Sequence, residues 1–550
     1  MTIPGGDELL FLPLGGAGEI GMNLNLYGHA GKWLMVDLGI GFTDGELPGV
    51  EVVMPDPAFI VERRQALCGI VLTHAHEDHL GAVADLWPRL KCPVYATPFA
   101  ASVLRRKLRD AGLDREVELI EIPLGGRFKV GPFDLEMITM THSIPEPNAL
   151  AVRTPLGTVF HTGDWKIDPD PLIGELTDEA RLRAIGDEGA LAMVCDSTNV
   201  FVEGEAGSEA GVRRKLAEIV KARTGRVAVT CFASNLARVE SIARAAAAAG
   251  RHPVLAGRAL QRMVECAREC GYLADFPECV DERQSGYLPR ERVLYICTGS
   301  QGEPRAAMSK IAFGDHPDIV LEKGDTAIFS SRIIPGNERS VGHLHNALVT
   351  RGVEVVTDRE EPIHVSGHPA RDELVRVYQW IRPRIAVPVH GELRHMTEHV
   401  ALARGCQVPE AVFAPNGSLV RLAPGPAEVV AQVPSGRIAR DGDRLVAIDG
   451  AAIGERRKLL WNGAIAASIV VNGKGRLAAP PKVTLRGLDD GEDGFAAALV
   501  EAAADAVEQA GAADRRDDAR LGEIARVALR RIARARTGKK PLTDVHIVRI

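Results

Sequence analysis

The sequence predicts an α/β protein of more than one domain. Short apolar runs closed by Gly, Pro or Asp fill the chain up to about residue 206. From about Gly207, strand-like runs alternate with helix-like ones, the rhythm of βαβ units and a parallel sheet. Several strand-like runs end on His or Asp, where sites in such sheets are built.

Residues 9–14, 24–27, 33–36 and 69–72 read as strands between turn residues. A helix is expected over 81–89, a strand over 93–96, and a helix over 100–111 with Val103, Leu104 and Leu108 at helical spacing. Strands return at 133–140, 149–153 and 158–161. In the alternating region, helices are expected at 212–223, 236–249 and 260–270, and strands at 227–231, 253–256, 293–297 and 326–330. A third region begins near Arg456, with strands at 465–471, 482–485 and 545–550 and helices at 495–510 and 521–536. The last helix carries Arg526, Arg530, Arg531, Arg534 and Arg536, which read as a solvated face.

A chain of 550 residues is too long for one core. Its 46% hydrophobic and 25% charged residues exclude extensive disorder. The net charge of -7 excludes a globally basic, polyanion-binding surface. Any nucleic-acid chemistry must use local positive charge or metal ions. Nine irregularly spaced cysteines with no CxxC pair, the closest group being Cys266, Cys270 and Cys279, suggest neither a zinc ribbon nor a disulfide framework. Asp7 and Glu8 stand where a signal peptide would be basic, and no apolar run approaches membrane-spanning length. A cytoplasmic protein with no membrane association is the expectation.

The chemistry centres on Thr73-His74-Ala75-His76-Glu77-Asp78-His79-Leu80-Gly81, directly after an apolar strand. Three histidines and an aspartate this close need a counter-charge, and a divalent metal accepts both ligand types. Alternation puts His74 and His76 on one side, leaving Asp78 and His79 for a second ion. His142, Asp164 and His390 each follow a strand-like run and complete a candidate ligand set. Gly16-Ala17-Gly18-Glu19-Ile20-Gly21 fits a dinucleotide-binding GxGxxG, but strands flank it where that site requires a helix. A tight hairpin near the metal site is expected instead.

HxHxDH, a lone His, TGD and a distant HG together resemble the metallo-β-lactamase superfamily of binuclear hydrolases. Asp164 and His390 stand 226 positions apart, and the alternating region fills that interval. This organisation resembles the β-CASP nucleases, in which a second domain is inserted into the first. Cys195-Asp196-Ser197-Thr198-Asn199, Gly299-Ser300-Gln301-Gly302-Glu303-Pro304 and His364-Val365-Ser366-Gly367-His368 carry the likeness further, to the bacterial ribonuclease J family. The likeness runs from about Leu9 to Asp449, and continues on length and position into the C-terminal part.

The resemblance implies a metallo-β-lactamase αββα sandwich with an inserted α/β β-CASP domain and a small α+β C-terminal domain. Its expected divisions are 1–206 and 367–450 for the sandwich, 207–366 for the insertion and 451–550 for the linker and last domain. It implies two Zn2+, with Mn2+ or Mg2+ as alternatives. His74, His76 and His142 would hold one, Asp78, His79 and His390 the other, and Asp164 would bridge them. His368 would touch the scissile phosphate and donate a proton, and Asp196 would bond a ligand histidine. Ser234, Asn235, Ser300 and Gln301, with His364, Val365, Ser366, Gly367 and His368, would cradle RNA phosphates, including a 5′-monophosphate. A structural Ca2+ would use the Pro48 and Val50 carbonyls and Asp443. The implied activity is 5′-to-3′ exonuclease and endonuclease cleavage in RNA maturation and mRNA decay. A homodimer or homotetramer and RNA-degradation partners are also implied. Rival readings are a DNA-acting β-CASP nuclease, a small-molecule hydrolase on the same scaffold, and a non-catalytic RNA-binding scaffold subunit.

Overall fold

The computed structural model describes residues 5–43, 47–488 and 494–550. Its contacts divide the chain into two units, residues 1–42 with 52–437, and residues 43–51 with 438–550.

The first unit is built on two facing sheets. One has eight strands in the order Glu428–Gln432, Ser418–Ala423, Leu9–Gly15, Leu24–His29, Lys32–Val36, Leu67–Val71, Val94–Ala96, Leu119–Glu121. The other has seven, from Arg127–Val130 through Phe133–Thr139, Asn148–Thr154, Gly157–His161, Ala190–Asp196 and Ile385–Val389 to Glu410–Ala411. Phe11, Leu34, Val36 and Val71 meet Leu135, Leu150, Val152, Val194 and Val387 between them. Strands buried on both faces explain why these runs are continuously apolar. Helices Glu179–Glu188 and Arg371–Ile381 cover the outer face of the second sheet through Leu182, Ile185, Leu374, Val377 and Trp380. This is the expected αββα sandwich.

Ala190–Asp196 and Ile385–Val389 are parallel neighbours, with Asp196 opposite Val389. The chain between them forms a separate five-stranded parallel sheet, ordered His252–Ala256, Val293–Cys297, Val227–Thr230, Thr326–Phe329, Glu354–Val356. Its own core contains Val254, Tyr295, Met308, Ile311, Phe329 and Leu344. The insertion is therefore fed and drained by adjacent strands that both end at the site.

Both crossings are pinned by buried polar groups. The Glu373 carboxylate accepts backbone N–H groups of Ile167, Ala206 and Ala370. Fully buried Lys166 pairs with Asp168 at 2.9 Å and donates to the Gly207 carbonyl. Arg238 binds Glu209 through Nε and one terminal nitrogen, while its other terminal nitrogen donates to the Ser330 and Ile363 carbonyls.

In the second unit, Ala464–Val471 lies between Lys482–Arg486 and Leu542–Arg549. Ile465, Ala467, Ile469 and Val471 pack under helices Phe495–Gln509 and Asp518–Thr537. On the second helix Leu521, Ala525, Leu529 and Ala533 point inward. Arg531, Arg534 and Arg536 are exposed and Arg526 pairs with Glu523, so the arginines form the expected outer face.

Some elements differ from expectation. The helix expected over 81–89 is two pieces, Glu77–Leu80 and Val83–Leu90, so Asp78 and His79 lie on a helical turn. Helix Ala451–Asn462, ahead of the strands expected in the third region, had no expectation; it buries only Ile453 and so lacks an amphipathic signature. Helices Glu338–Thr350, Arg371–Ile381 and Leu393–Gly405 had no expectation. All nine cysteines are free. Among the described residues, no helix is long and apolar enough to cross a membrane.

Replacing Glu373 with Ala leaves three backbone donors without their acceptor at the crossing of the insertion. A loss of about 3–5 kcal/mol of stability is expected. Denaturant unfolding reads it, and an unchanged midpoint overturns this role for Glu373.

Candidate metal centre

The strand Leu67–Val71 delivers the histidine run to the rim of the sandwich. His76 caps the turn Glu77–Leu80, whose His79 and Leu80 amides donate to the His76 carbonyl. This turn sets Asp78 toward His390, while the His79 ring stays beside His74, centroids 4.1 Å apart. Backbone bonds brace it: Asn23 N–H to the Asp78 carbonyl, Leu38 N–H to the His79 carbonyl, and Ile40 N–H to the Glu77 carbonyl. Asn23 closely follows the glycine hairpin, and Leu38 and Ile40 lie just past the strand Lys32–Val36. A Cβ on Gly39 would sit 1.7 Å from the Asp78 carbonyl oxygen.

Three overlapping groups of possible ligand atoms result; one joins Asp164, Asp196, His368 and His390, and the other two hold the expected ligands. His74, His76, His142 and Asp164 form one, and Asp78, His79, Asp164 and His390 the other, with atoms within 4.8 Å of one another. In the first, His76 Nδ1 lies 3.0 Å from His74 Nε2 and 3.0 Å from His142 Nε2. In the second, His79 Nε2 lies 3.2 Å from Asp164 and 3.6 Å from Asp78, and His390 Nε2 lies 3.1 Å from Asp78 and 3.7 Å from Asp164. Ligands tetrahedrally placed about 2.0–2.1 Å from a zinc ion stand about 3.3 Å apart. The donor set and its spacing fit two divalent ions sharing Asp164.

The electrostatics of the two groups differ. Burial pushes His74 and His142 well below the usual imidazole range and His76 down to about 4, so these are neutral, ligand-ready rings. Burial also opposes charge on His79 and His390. There Asp164 first, then Asp78 with Asp37 or Asp196, outweighs it and raises both well above that range.

A further set of contacts aims the ligands. The Asp37 carboxylate accepts from His79 Nδ1 at 2.7 Å and from the Thr73 backbone and hydroxyl. The Thr73 hydroxyl lies 3.0 Å from His74 Nδ1. The Thr198 hydroxyl lies 2.8 Å from His390 Nδ1. His142 Nδ1 donates at 2.5 Å to the Gly367 carbonyl, contributed by the end of the insertion. Such partners fix tautomer and ring orientation. His368 stacks on His390 with centroids 5.4 Å apart, and its Nδ1 donates to Asp196 at 2.8 Å. Asp196 stands 3.6 Å from the His390 ring, so its short bond goes to His368 and not to a ligand histidine.

With this geometry in place, the comparisons with known proteins are specific. Family models match in four consecutive segments. Residues 33–186 match the β-lactamase superfamily domain, and 224–348 the ribonuclease J β-CASP domain. Residues 352–412 match a Zn-dependent metallo-hydrolase RNA specificity domain, and 451–550 the ribonuclease J C-terminal domain. Ribonuclease J of Sinorhizobium meliloti is 47% identical over 99% of this chain and 98% of its own length. The chain belongs to the ribonuclease J family. Ribonuclease J of Mycolicibacterium smegmatis is 39% identical over 88% of this chain and 87% of its own. Ribonuclease J of Thermus thermophilus is 34% identical, covering 84% and 82%. A crystal structure of a protein of unknown function from Enterococcus faecalis V583 shares the fold, with a TM-score of 0.51 at 14% identity over 75% of this chain and all of that one.

Within this chain, some expected phosphate donors are already engaged. Asn235 caps helix Leu236–Ala248 through its side-chain oxygen and donates its amide to Glu209. Gln301 donates to the Arg332 carbonyl and accepts from Ile334 N–H. Each amide has one of its two N–H donors engaged in this way. Ser300 is buried and Ser234 half-buried. The Ser366 hydroxyl accepts from Asn199 and from the His368 amide. His364 keeps a buried Nδ1 with no partner, and burial lowers its pKa to about 3. In the second unit the Val50 carbonyl accepts from the Thr43 hydroxyl at 2.5 Å, and Asp443 is exposed in the turn before Arg444–Ala447.

Sequence reasoning missed Asp37, Thr73 and Thr198 as supports. Asp37 carried the same signal as the ligands, a carboxylate just past the strand Lys32–Val36. Its φ of 63° turns the chain there and aims it at His79.

Asp37→Ala removes the acceptor for His79 Nδ1–H. Metal affinity of the chelator-stripped protein is expected to fall by about 10–100-fold. Competition with a chromogenic chelator measures this, and unchanged affinity overturns it. Gly367→Ala places a Cβ 2.7 Å from His142 Cε1, so it too weakens metal retention in that assay while Gly342→Ala, with open space around its Cβ and no left-handed φ, serves as the control.

Proposed function

We propose that this chain is a two-zinc ribonuclease, with 5′-to-3′ exonuclease activity preferring 5′-monophosphate ends and with endonuclease activity. The observation that carries the reading is the pair of ligand groups joined at Asp164, with the end of an inserted domain placing His368 over His390. His74, His76 and His142 would hold one ion, Asp78, His79 and His390 the other, and Asp164 both. Mn2+ or Mg2+ are the alternatives. Two such ions, when bound, supply an activated water and positive charge for a phosphodiester transition state.

The remaining chemistry is read from the chain's own groups. Asp196 accepts from His368 Nδ1–H; against burial, Asp196 and Asp164 favour the imidazolium form, whose Nε2 carries a proton that can pass to a leaving oxygen. Asn199 donates to the His368 carbonyl and the Ser366 hydroxyl, so the loop that carries this acid is held from the sandwich side. Ser234, Asn235, Ser300, Gln301 and the loop His364, Val365, Ser366, Gly367 and His368 are the proposed phosphate contacts. The resemblance extends the proposal to a cytoplasmic homodimer or homotetramer acting in RNA maturation and decay with RNA-degradation partners.

The test compares matched 5′-monophosphate and 5′-triphosphate RNA, with and without chelator. Processive loss of the monophosphate RNA is expected. His368→Ala should lower kcat by about 10²–10⁴-fold, and Asp78→Ala should abolish turnover. Intact RNA with metal bound would sink the nuclease reading. Equal turnover of single-stranded DNA would favour the DNA-acting alternative.

A further inference from the structure

Beside the metal centre lies an exposed apolar rim that none of the metal or phosphate contacts uses. Phe201 is 50% exposed, Leu393 52% and Ile20 45%. These residues come from three separated parts of the chain and share one margin of the site. Gly391 pairs with Ala17, and the His390 amide donates to the Gly16 carbonyl. A Cβ on Gly18 would lie 3.1 Å from Leu393 Cδ2. The Phe201 ring stands edge-on to His395, centroids 5.3 Å apart. The Arg394 guanidinium lies 5.8 Å from the Phe201 ring centre.

The Phe201 backbone is held. Val202 N–H closes a turn on the Asn199 carbonyl, and Arg371 donates to the Val200 carbonyl. Two and three residues earlier, Asn199 holds the His368 loop and Thr198 contacts His390. An aromatic face this exposed loses water contact favourably only when a flat apolar group covers it. A fixed aromatic face with a neighbouring guanidinium is the arrangement that accepts one unpaired base and the phosphate next to it. Arg394 also contacts the Glu392 carboxylate, an exposed pair that yields readily to a phosphate.

We propose that Phe201, flanked by Leu393 and Ile20 and assisted by Arg394, is a stacking subsite for one nucleobase of single-stranded RNA on the His390 side of the metal centre. This rests on the ribonuclease reading for its ligand class. Stacking is sequence-tolerant because every base presents a π-face. The subsite therefore sets register and affinity without selecting a sequence.

The experiment measures binding separately from cleavage. Fluorescently labelled RNA oligomers, each with an abasic nucleotide at one position, are titrated in chelator against the full-length protein by anisotropy. In the wild type, one position is expected to cost about 5- to 100-fold in affinity. Phe201→Ala should show that loss with intact RNA and no further loss at that position, whereas Phe201→Trp should restore the wild-type pattern. Arg394→Gln should flatten the slope of log affinity against log salt by about 0.7. A position-independent abasic profile, or unchanged affinity in Phe201→Ala, overturns the subsite even if the metal-loaded enzyme cuts RNA. Failure of the metal-loaded wild type to cut RNA overturns the ribonuclease reading by a different measurement.

Discussion

Asp164 is the group on which the site depends. Its carboxylate, 3% exposed, belongs to both ligand groups and stands within 4 Å of His79, His142, His368 and His390. A buried carboxylate among imidazoles is costly unless every charge is answered. Metal ions answer it best, because they let the first three histidines stay neutral and give the carboxylates cations to face. The surrounding fold reads as a means of holding that arrangement. Backbone amides of Asn23, Leu38 and Ile40 brace the Asp78 turn, Asp37 and Thr198 orient rings, and the return of the insertion supplies the carbonyl that bonds His142.

The insertion has a matching logic. Its two ends lie on neighbouring strands of one sheet, so the inserted domain stands over the site without breaking the sandwich. Glu373, Lys166 and Arg238 then spend buried charge at the crossings, where backbone groups would otherwise lack partners. Precision at His368 is thereby set by groups distributed across both domains.

Much of this was legible in the sequence because the ligands obey a positional rule. His74, His142, Asp164 and His390 each follow an apolar strand, and period and turn residues mark such strands well. The interval before His390 marked the insertion. What was illegible depends on three-dimensional competition. Asn235 and Gln301 are plain donors in a sequence, but only packing reveals that each gives one N–H to the fold, to Glu209 and to the Arg332 carbonyl. Asp37 also follows an apolar strand, but its partnership with a histidine 42 positions later shows only in the fold. Helix Ala451–Asn462 escaped because it buries a single side chain and leaves no periodic trace.

The adjacency of Ala190–Asp196 and Ile385–Val389 also orders events in time. A chain emerging from synthesis presents the histidine run, His142 and Asp164 early, but the strand that delivers His390 must wait for the whole insertion. Until then one edge of the second sheet lacks its neighbour, and the group that shares Asp78 and Asp164 lacks a ligand. The Gly367 carbonyl that bonds His142 arrives with the same returning chain, so both groups around Asp164 are complete only when the inserted domain has handed the chain back.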